Sequence, residues 1–203
     1  MGLTAANVVD GPLAQAYRFD GGTGQAVSAT SSSANAVPTG GQATLEGWYQ
    51  WDGTTSGTLV AHEGCCLGYI AQITDTSELY VRWGTGNCCS GGTDYDQALF
   101  PLPAGDPTGW HHYAIVIDRS AGLATVAIDG LVVGGPLAIK PGGDFGAQSE
   151  YRIGADFGGN ANFGGALDEA RFATFGYSPS RIALYARAGR DEVVDYGSPQ
   201  SRP

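Results

Sequence analysis

Lysine is almost missing from this chain: Lys140 is the only one, and 10 basic groups face 20 acidic ones for a formal net charge of −10. A surface of that sign repels phosphate backbones, and no basic patch with interleaved aromatics offsets it, so nucleic acid is excluded as an expected partner. Long apolar runs are missing as well. No stretch approaches the roughly 20 apolar residues that span a bilayer, and residues 1–10 lack a basic region followed by an apolar core, so neither membrane insertion nor a secretory signal is expected. Charged residues make up only 15% of the chain, whereas aromatics reach 10% and glycines number 33. That balance excludes a disordered tail and a helical bundle and fits a turn-rich folded protein. Three chemical motifs are missing too: a nucleophile elbow, a glycine-rich phosphate loop opening a helix, and a metalloprotease helix. No catalysis is expected.

What is present spells strands and turns. The stretch GWHHYAIVIDRSAGLATVAIDG over 109–130 holds an alternating β-rich run at 112–117, a polar turn at 118–122, a second run at 123–128 and a tight Asp129-Gly130 turn. That is an antiparallel meander. Further strands are expected over 16–20, 25–30, 44–51, 58–63, 68–74, 78–84, 131–139, 151–154 and 166–172. Strand 44–51 carries aromatics on both alternating faces, with Leu45, Tyr49 and Trp51 on one and Thr44, Glu46 and Trp48 on the other. Periodicity does not say which face meets the core. Residues 85–107, rich in Gly, Asp and Pro, read as either a functional loop or a strand disguised by breakers. Ser178-Pro179 supplies an N-cap and an N1 proline for a short helix over 181–186. All-β chains of 203 residues are commonly one domain, so one core is expected over 1–188, followed by a polar tail over 189–203.

Several side chains invite a role. Cys65-Cys66 and Cys88-Cys89 are the only cysteines, and two adjacent pairs of even count point to two cross-linking disulfides, each contributing about 2–4 kcal/mol. A zinc site suits them less, because structural zinc prefers a spacer inside each pair, and free thiols are the alternative in a reducing compartment. His111 and His112 follow Trp110 on a strand, so one is expected to pack inward and the other to face out, with His62 elsewhere. Sugar rings dock on flat aromatic faces flanked by amides and carboxylates. Tyr95, Phe145, Phe157 and Phe163, with Asn160 and Asn162 nearby, are the expected ligand-binding set.

Taken in order, these segments resemble the laminin-G-like (concanavalin A-like) jelly-roll superfamily. YRFDG at 17–21 resembles its opening strand and TLEGW at 44–48 its next long strand. Residues 110–130 resemble its meander, and GALDEARF at 165–172 with SPSRIALY at 178–185 resembles its closing strand and helix. The resemblance implies an all-β fold, a two-sheet antiparallel jelly-roll β-sandwich with one short C-terminal helix. It also implies one structural calcium, held by Asp20, Gly21 and Asp168 if the first and last strands are neighbours; the alternative is that Asp168 merely caps or pairs with Arg171. Glycosidases sharing this fold use two carboxylates about 5 Å apart, and the clustered Glu-x-Asp-x-x-Glu strand that would supply them is missing here. The expected function is recognition or adhesion without catalysis. It is deployed either as a structural subunit of a larger assembly, such as a bacteriophage capsid or tail protein at the virion surface, or as an extracellular carbohydrate-binding module or lectin. The expected partners are other protein subunits, including copies of itself, and glycans.

Overall fold

The structure is a computed structural model that describes residues 5–13, 15–30, 41–64, 67–85, 95–139 and 150–188. A 3-10 turn at Ala5–Asn7 leads into β1 (Val8–Asp10), β2 (Gln15–Asp20), β3 (Val27–Thr30), β4 (Gln42–Trp51), β5 (Gly57–Gly64), β6 (Leu67–Ile73) and β7 (Glu78–Thr85). Then come β8 (Tyr95–Pro101), β9 (Trp110–Asp118), β10 (Leu123–Ile128), β11 (Leu131–Ala138), β12 (Glu150–Ile153), β13 (Gly164–Ala173) and α1 (Pro179–Ala188). Each expected strand is found within a few residues. The ambiguous 85–107 segment holds a strand, β8, paired along β7 from Glu78↔Pro101 to Gly84↔Tyr95.

Two antiparallel sheets stack face to face. One has seven strands in the order β1-β2-β13-β4-β9-β10-β11, the other six in the order β3-β12-β5-β6-β7-β8. Because β2 and β3 enter opposite sheets and β12 and β13 return beside them, the chain forms a jelly roll, as its resemblance implies. Between the sheets lie Leu45, Tyr49 and Trp51 of β4, Tyr113, Ile115 and Ile117 of β9, and Leu79, Val81 and Trp83 of β7, all buried. Burying a large apolar side chain of this kind contributes about 1.5–3 kcal/mol.

The other face of β4 does not meet solvent. Thr44, Glu46 and Trp48 are buried, because the chain after β13 folds back over this sheet. The Thr44 hydroxyl donates to the Phe175 carbonyl (2.9 Å) and accepts the Tyr177 N–H (2.9 Å). Helix α1 then lays Ile182 on Ala114 and Ala127, forming a small second core with Tyr177. Two alanines at the contact let the helix approach closely. Ser178 caps it, its hydroxyl accepting the Arg181 N–H (3.3 Å), and Pro179 stands at its first position as expected.

Candidate functional site

At one side of the sandwich the sheets part. There β2 and β13 face β3 and β12 across a cleft of about 260 Å³. Phe19, Leu167, Ile153 and Val27 give it an apolar floor, and Gln15 and Tyr17 stand at its mouth. Tyr17 and Phe19 lie two apart on β2 and so share a face, yet Phe19 is 2% exposed and Tyr17 is 47% exposed. The difference comes from position: Phe19 reaches the closed interior, against Phe163 (ring centroids 6.4 Å apart), while Tyr17 stands where the layers separate.

A β-bulge forms the remaining wall. Asp168 pairs with Trp48 and Arg171 with Glu46, so three steps of β13 span two of β4. Glu169 takes the extra residue's place with φ of 49°, a left-handed conformation unusual for glutamate. Its carboxylate is tied to the Arg171 guanidinium. Asp168 is 7% exposed, and one of its oxygens accepts the Leu13 N–H (3.3 Å). Burial pushes this carboxyl above its ordinary value, against the pull of the Leu13 and Glu169 N–H groups. Both carboxylates are thus committed to holding the bulge and the β1–β2 loop. The cleft also presents an aromatic ring at Tyr17 and an amide at Gln15.

The calcium set does not converge. The first and last long strands are neighbours, as the expectation required, but their register places Asp20 opposite Gly164. Asp168 therefore lies four residues further along β13, about 13 Å away. Asp20 instead anchors its own turn, an oxygen accepting the Gly22 N–H (2.7 Å), while the Gly21 N–H donates to the Phe163 carbonyl (3.1 Å). No group of three or more His, Cys, Asp or Glu side chains suited to a metal occurs among the described residues. These residues do not fit the ion.

The expected aromatic set is dispersed. Phe163 is fully buried and Asn162 is 9% exposed, a correction that follows from their place at the entry to β13, where the chain dives into the interior. Phe157 is exposed, with the Arg152 guanidinium 5.9 Å from its ring centre. Asn160 closes the same loop, its N–H donating to an Asp156 oxygen (2.7 Å). Tyr95 is partly exposed beneath Arg82 (5.8 Å). It lies four strands from β12 in the six-stranded sheet, about 20 Å away, so Tyr95 and Phe157 form no common site. Phe145 and the four cysteines Cys65, Cys66, Cys88 and Cys89 lie outside the described residues.

Both adjacent histidines are buried, which corrects the expectation that one faces out. The His111 ring meets the Asp129 carboxylate (2.8 Å) and the Asp106 carbonyl (2.5 Å), and the His112 N–H donates to the other Asp129 oxygen (3.1 Å). Asp129 therefore stitches the second turn of the meander back to its first strand. His112 lies under Trp48 (ring centroids 5.3 Å apart), with Nε2 3.3 Å from a Glu46 oxygen, and Arg171 approaches the second oxygen at 3.5 Å. His62 is buried in a stack with Tyr151 (3.9 Å). Sequence reasoning missed Gln15 and Tyr17; the only local signal for them was the aromatic alternation of YRFD, which does not report exposure.

Among the described residues no helix is long and apolar enough to cross a membrane. No curated protein matches this chain in sequence. Its fold is similar to the binding domain of Paraclostridial Mosquitocidal Protein 1, with a TM-score of 0.69 and 14% identity over 89% of this chain and 45% of that one. This chain thus spans less than half of that protein. It is similar also to the native heptameric SAP-like pentraxin from Limulus polyphemus (TM-score 0.61, 14% identity, 83% of this chain and 80% of that one). Domain 4 of AbnA, a GH43 extracellular arabinanase from Geobacillus stearothermophilus, is a third likeness (TM-score 0.60, 16% identity, 88% of this chain and 80% of that one). Identities this low show the fold alone. The sequence itself matches a family model over residues 20–183, from the end of β2 into α1. With the jelly roll those residues build, this chain belongs to the concanavalin A-like lectin/glucanases superfamily.

Proposed function

We propose that this chain is a non-catalytic recognition domain that takes a carbohydrate ring into the cleft at Tyr17. The observation that carries the reading is a half-exposed tyrosine beside Gln15 at the mouth of an apolar cleft, where the two sheets part. The C–H face of a sugar stacks on such a ring, and the Gln15 amide supplies a donor and an acceptor for hydroxyl groups. Proteins of the same fold support it. Domain 4 of AbnA was solved with arabinotriose, and cell entry of botulinum neurotoxin type C depends on two ganglioside molecules. The binding domain of botulinum neurotoxin DC was solved with rat synaptotagmin II, so a protein receptor is an alternative occupant for a fold of this kind.

A glycan array on the purified chain tests the reading, followed by titration of the best ligand into Tyr17→Ala. The expected result is binding that weakens by at least about tenfold in the variant, with an unchanged melting temperature because Tyr17 is half exposed. Silence across the array overturns it. Weight then moves to the second reading, a structural subunit of a larger assembly such as a virion surface, which the exposed Leu131, Val132 and Val133 on β11, the end strand of the seven-stranded sheet, favour.

A further inference from the structure

The face of β2 that turns away from the Tyr17 cleft borders a second concavity. Arg18 and Asp20 alternate with Tyr17 and Phe19 and so point to the outer side of the seven-stranded sheet. Two strands over stand Gln50, near the end of β4, and Asp52 just beyond it. Ala166 of β13 pairs with both Arg18 and Gln50, while Gly164 pairs with Asp20 and its carbonyl accepts the Asp52 N–H (3.0 Å). Between these two rows the outer surface is bare backbone, because Phe19 and Trp51 turn into the core and Gly165, paired with both, has no side chain. A groove of about 530 Å³ results, walled by Arg18 and Asp20 on one side and by Gln50 and Asp52 on the other, with Thr108 also lining it. Its charges are sorted by end: Arg18 faces Gln50, and about 7 Å along the strands Asp20 faces Asp52. One Asp20 oxygen accepts the Gly22 N–H (2.7 Å), and one Asp52 oxygen accepts the N–H groups of Thr54 (2.8 Å) and Thr55 (2.7 Å), so both carboxylates are held in place. The other Asp52 oxygen lies over Gly164, where a Cβ would collide with it, so glycine lets this carboxylate reach across β13. Among the described residues no carboxylate pairs with the Arg18 guanidinium, although the chain has twice as many acidic as basic groups, and the Gln50 amide has no partner there either.

We propose that this groove binds a zwitterion whose carboxylate and ammonium groups stand about 7 Å apart, as in an ω-amino carboxylate. The carboxylate accepts charge-assisted hydrogen bonds from the Arg18 guanidinium and a further one from the Gln50 amide, and the ammonium donates to Asp20 and Asp52. A simple anion meets two aspartates and a simple cation meets Arg18, so the groove selects a ligand that carries both charges in this order. A free ω-amino acid offers that chemistry, and so does the C-terminal lysine of another protein, through its side-chain ammonium and terminal carboxylate. The groove lies across β2 from the Tyr17 cleft and stands or falls independently of the glycan reading.

The test is calorimetric titration of the full chain with 6-aminohexanoate, beside hexanoate and hexylamine, which each keep one of its two charges. 6-Aminohexanoate is expected to bind at least about tenfold more tightly than either, and more weakly as salt is raised. Arg18→Gln should remove its advantage over hexylamine, and Asp20→Asn its advantage over hexanoate. Both side chains are exposed, so the melting temperature of each variant should match the wild type. A probe that binds no better than its singly charged relatives overturns the proposal, as does an Arg18→Gln chain that binds it like the wild type. Once binding is established, a peptide ending in lysine that outcompetes 6-aminohexanoate assigns the ligand to a protein terminus, and one that does not assigns it to a small molecule.

Discussion

Asp168 is a carboxylate kept under a loop, and its ionisation has a cost that pH can expose. Burial raises its carboxyl, the neighbouring Glu169 carboxylate adds to the rise, and the Leu13 N–H opposes it. Below the unfolded value of about 3.9 the group is neutral in both states and the cost is absent; it builds as pH rises above that value and is complete once pH has passed the higher folded value. Asp168→Asn keeps an acceptor for Leu13 and removes the charge. We expect it to raise stability at pH 7 by on the order of 1 kcal/mol and to confer no gain near pH ~3, as measured by urea unfolding at both pH values. A gain of equal size at both would show that ionisation is not its source. Asp129 has the opposite character, since it spends both oxygens on His111 and His112 and thereby fixes the turn between β10 and β11.

That turn is also where the strands meet the helix. Gly130 has φ of +78°, and a Cβ there would stand 2.9 Å from the Ala183 Cα of α1. Gly130→Ala combines a left-handed alanine with a clash against helix backbone, and is expected to lower stability by about 1–3 kcal/mol in thermal unfolding; an unchanged midpoint would mean that α1 does not dock there. Elements of this kind were legible wherever their signal was local. The meander, the N-cap and N1 proline of α1 and most strand limits followed from alternation and turn residues. Features that depend on partners far along the chain were not legible. The outer face of β4 looked like a possible surface because the segment that covers it, at Phe175 and Tyr177, lies well over a hundred residues away. Asp20 and Asp168 looked convergent because strand adjacency can be guessed and register cannot. Tyr17 was passed over and Phe163 chosen, because exposure of an aromatic is decided by where the two layers part.

At the scale of the molecule, the core carries tyrosines that resist ionisation. Tyr49, Tyr69 and Tyr113 are each at most 3% exposed, and burial raises all three phenols, with Asp129 adding to the rise at Tyr49, Tyr151 at Tyr69 and Glu46 at Tyr113. Unfolded tyrosine ionises near pH ~10. The folded chain keeps these three neutral beyond that, so stability is intact below it and falls above it by about 1.4 kcal/mol per pH unit for each tyrosine. An alkaline titration should show exposed tyrosines ionising first and these three only in a cooperative step that coincides with loss of the β circular dichroism signal. Ionisation of all 10 tyrosines before that loss would contradict it.

The pairing of β2 with β13, Asp20 against Gly164, has a consequence for how the chain is made. As the protein leaves the ribosome, β2 emerges early and has no place in its sheet until nearly the whole sequence has followed, because β13 is the strand that separates it from β4. The meander of β9, β10 and β11 can assemble locally in the meantime, whereas the edge at β2 closes last and slowly, as long-range pairings do. The cleft at Tyr17 therefore comes into being only with the final strand, and an incomplete chain presents no such cleft.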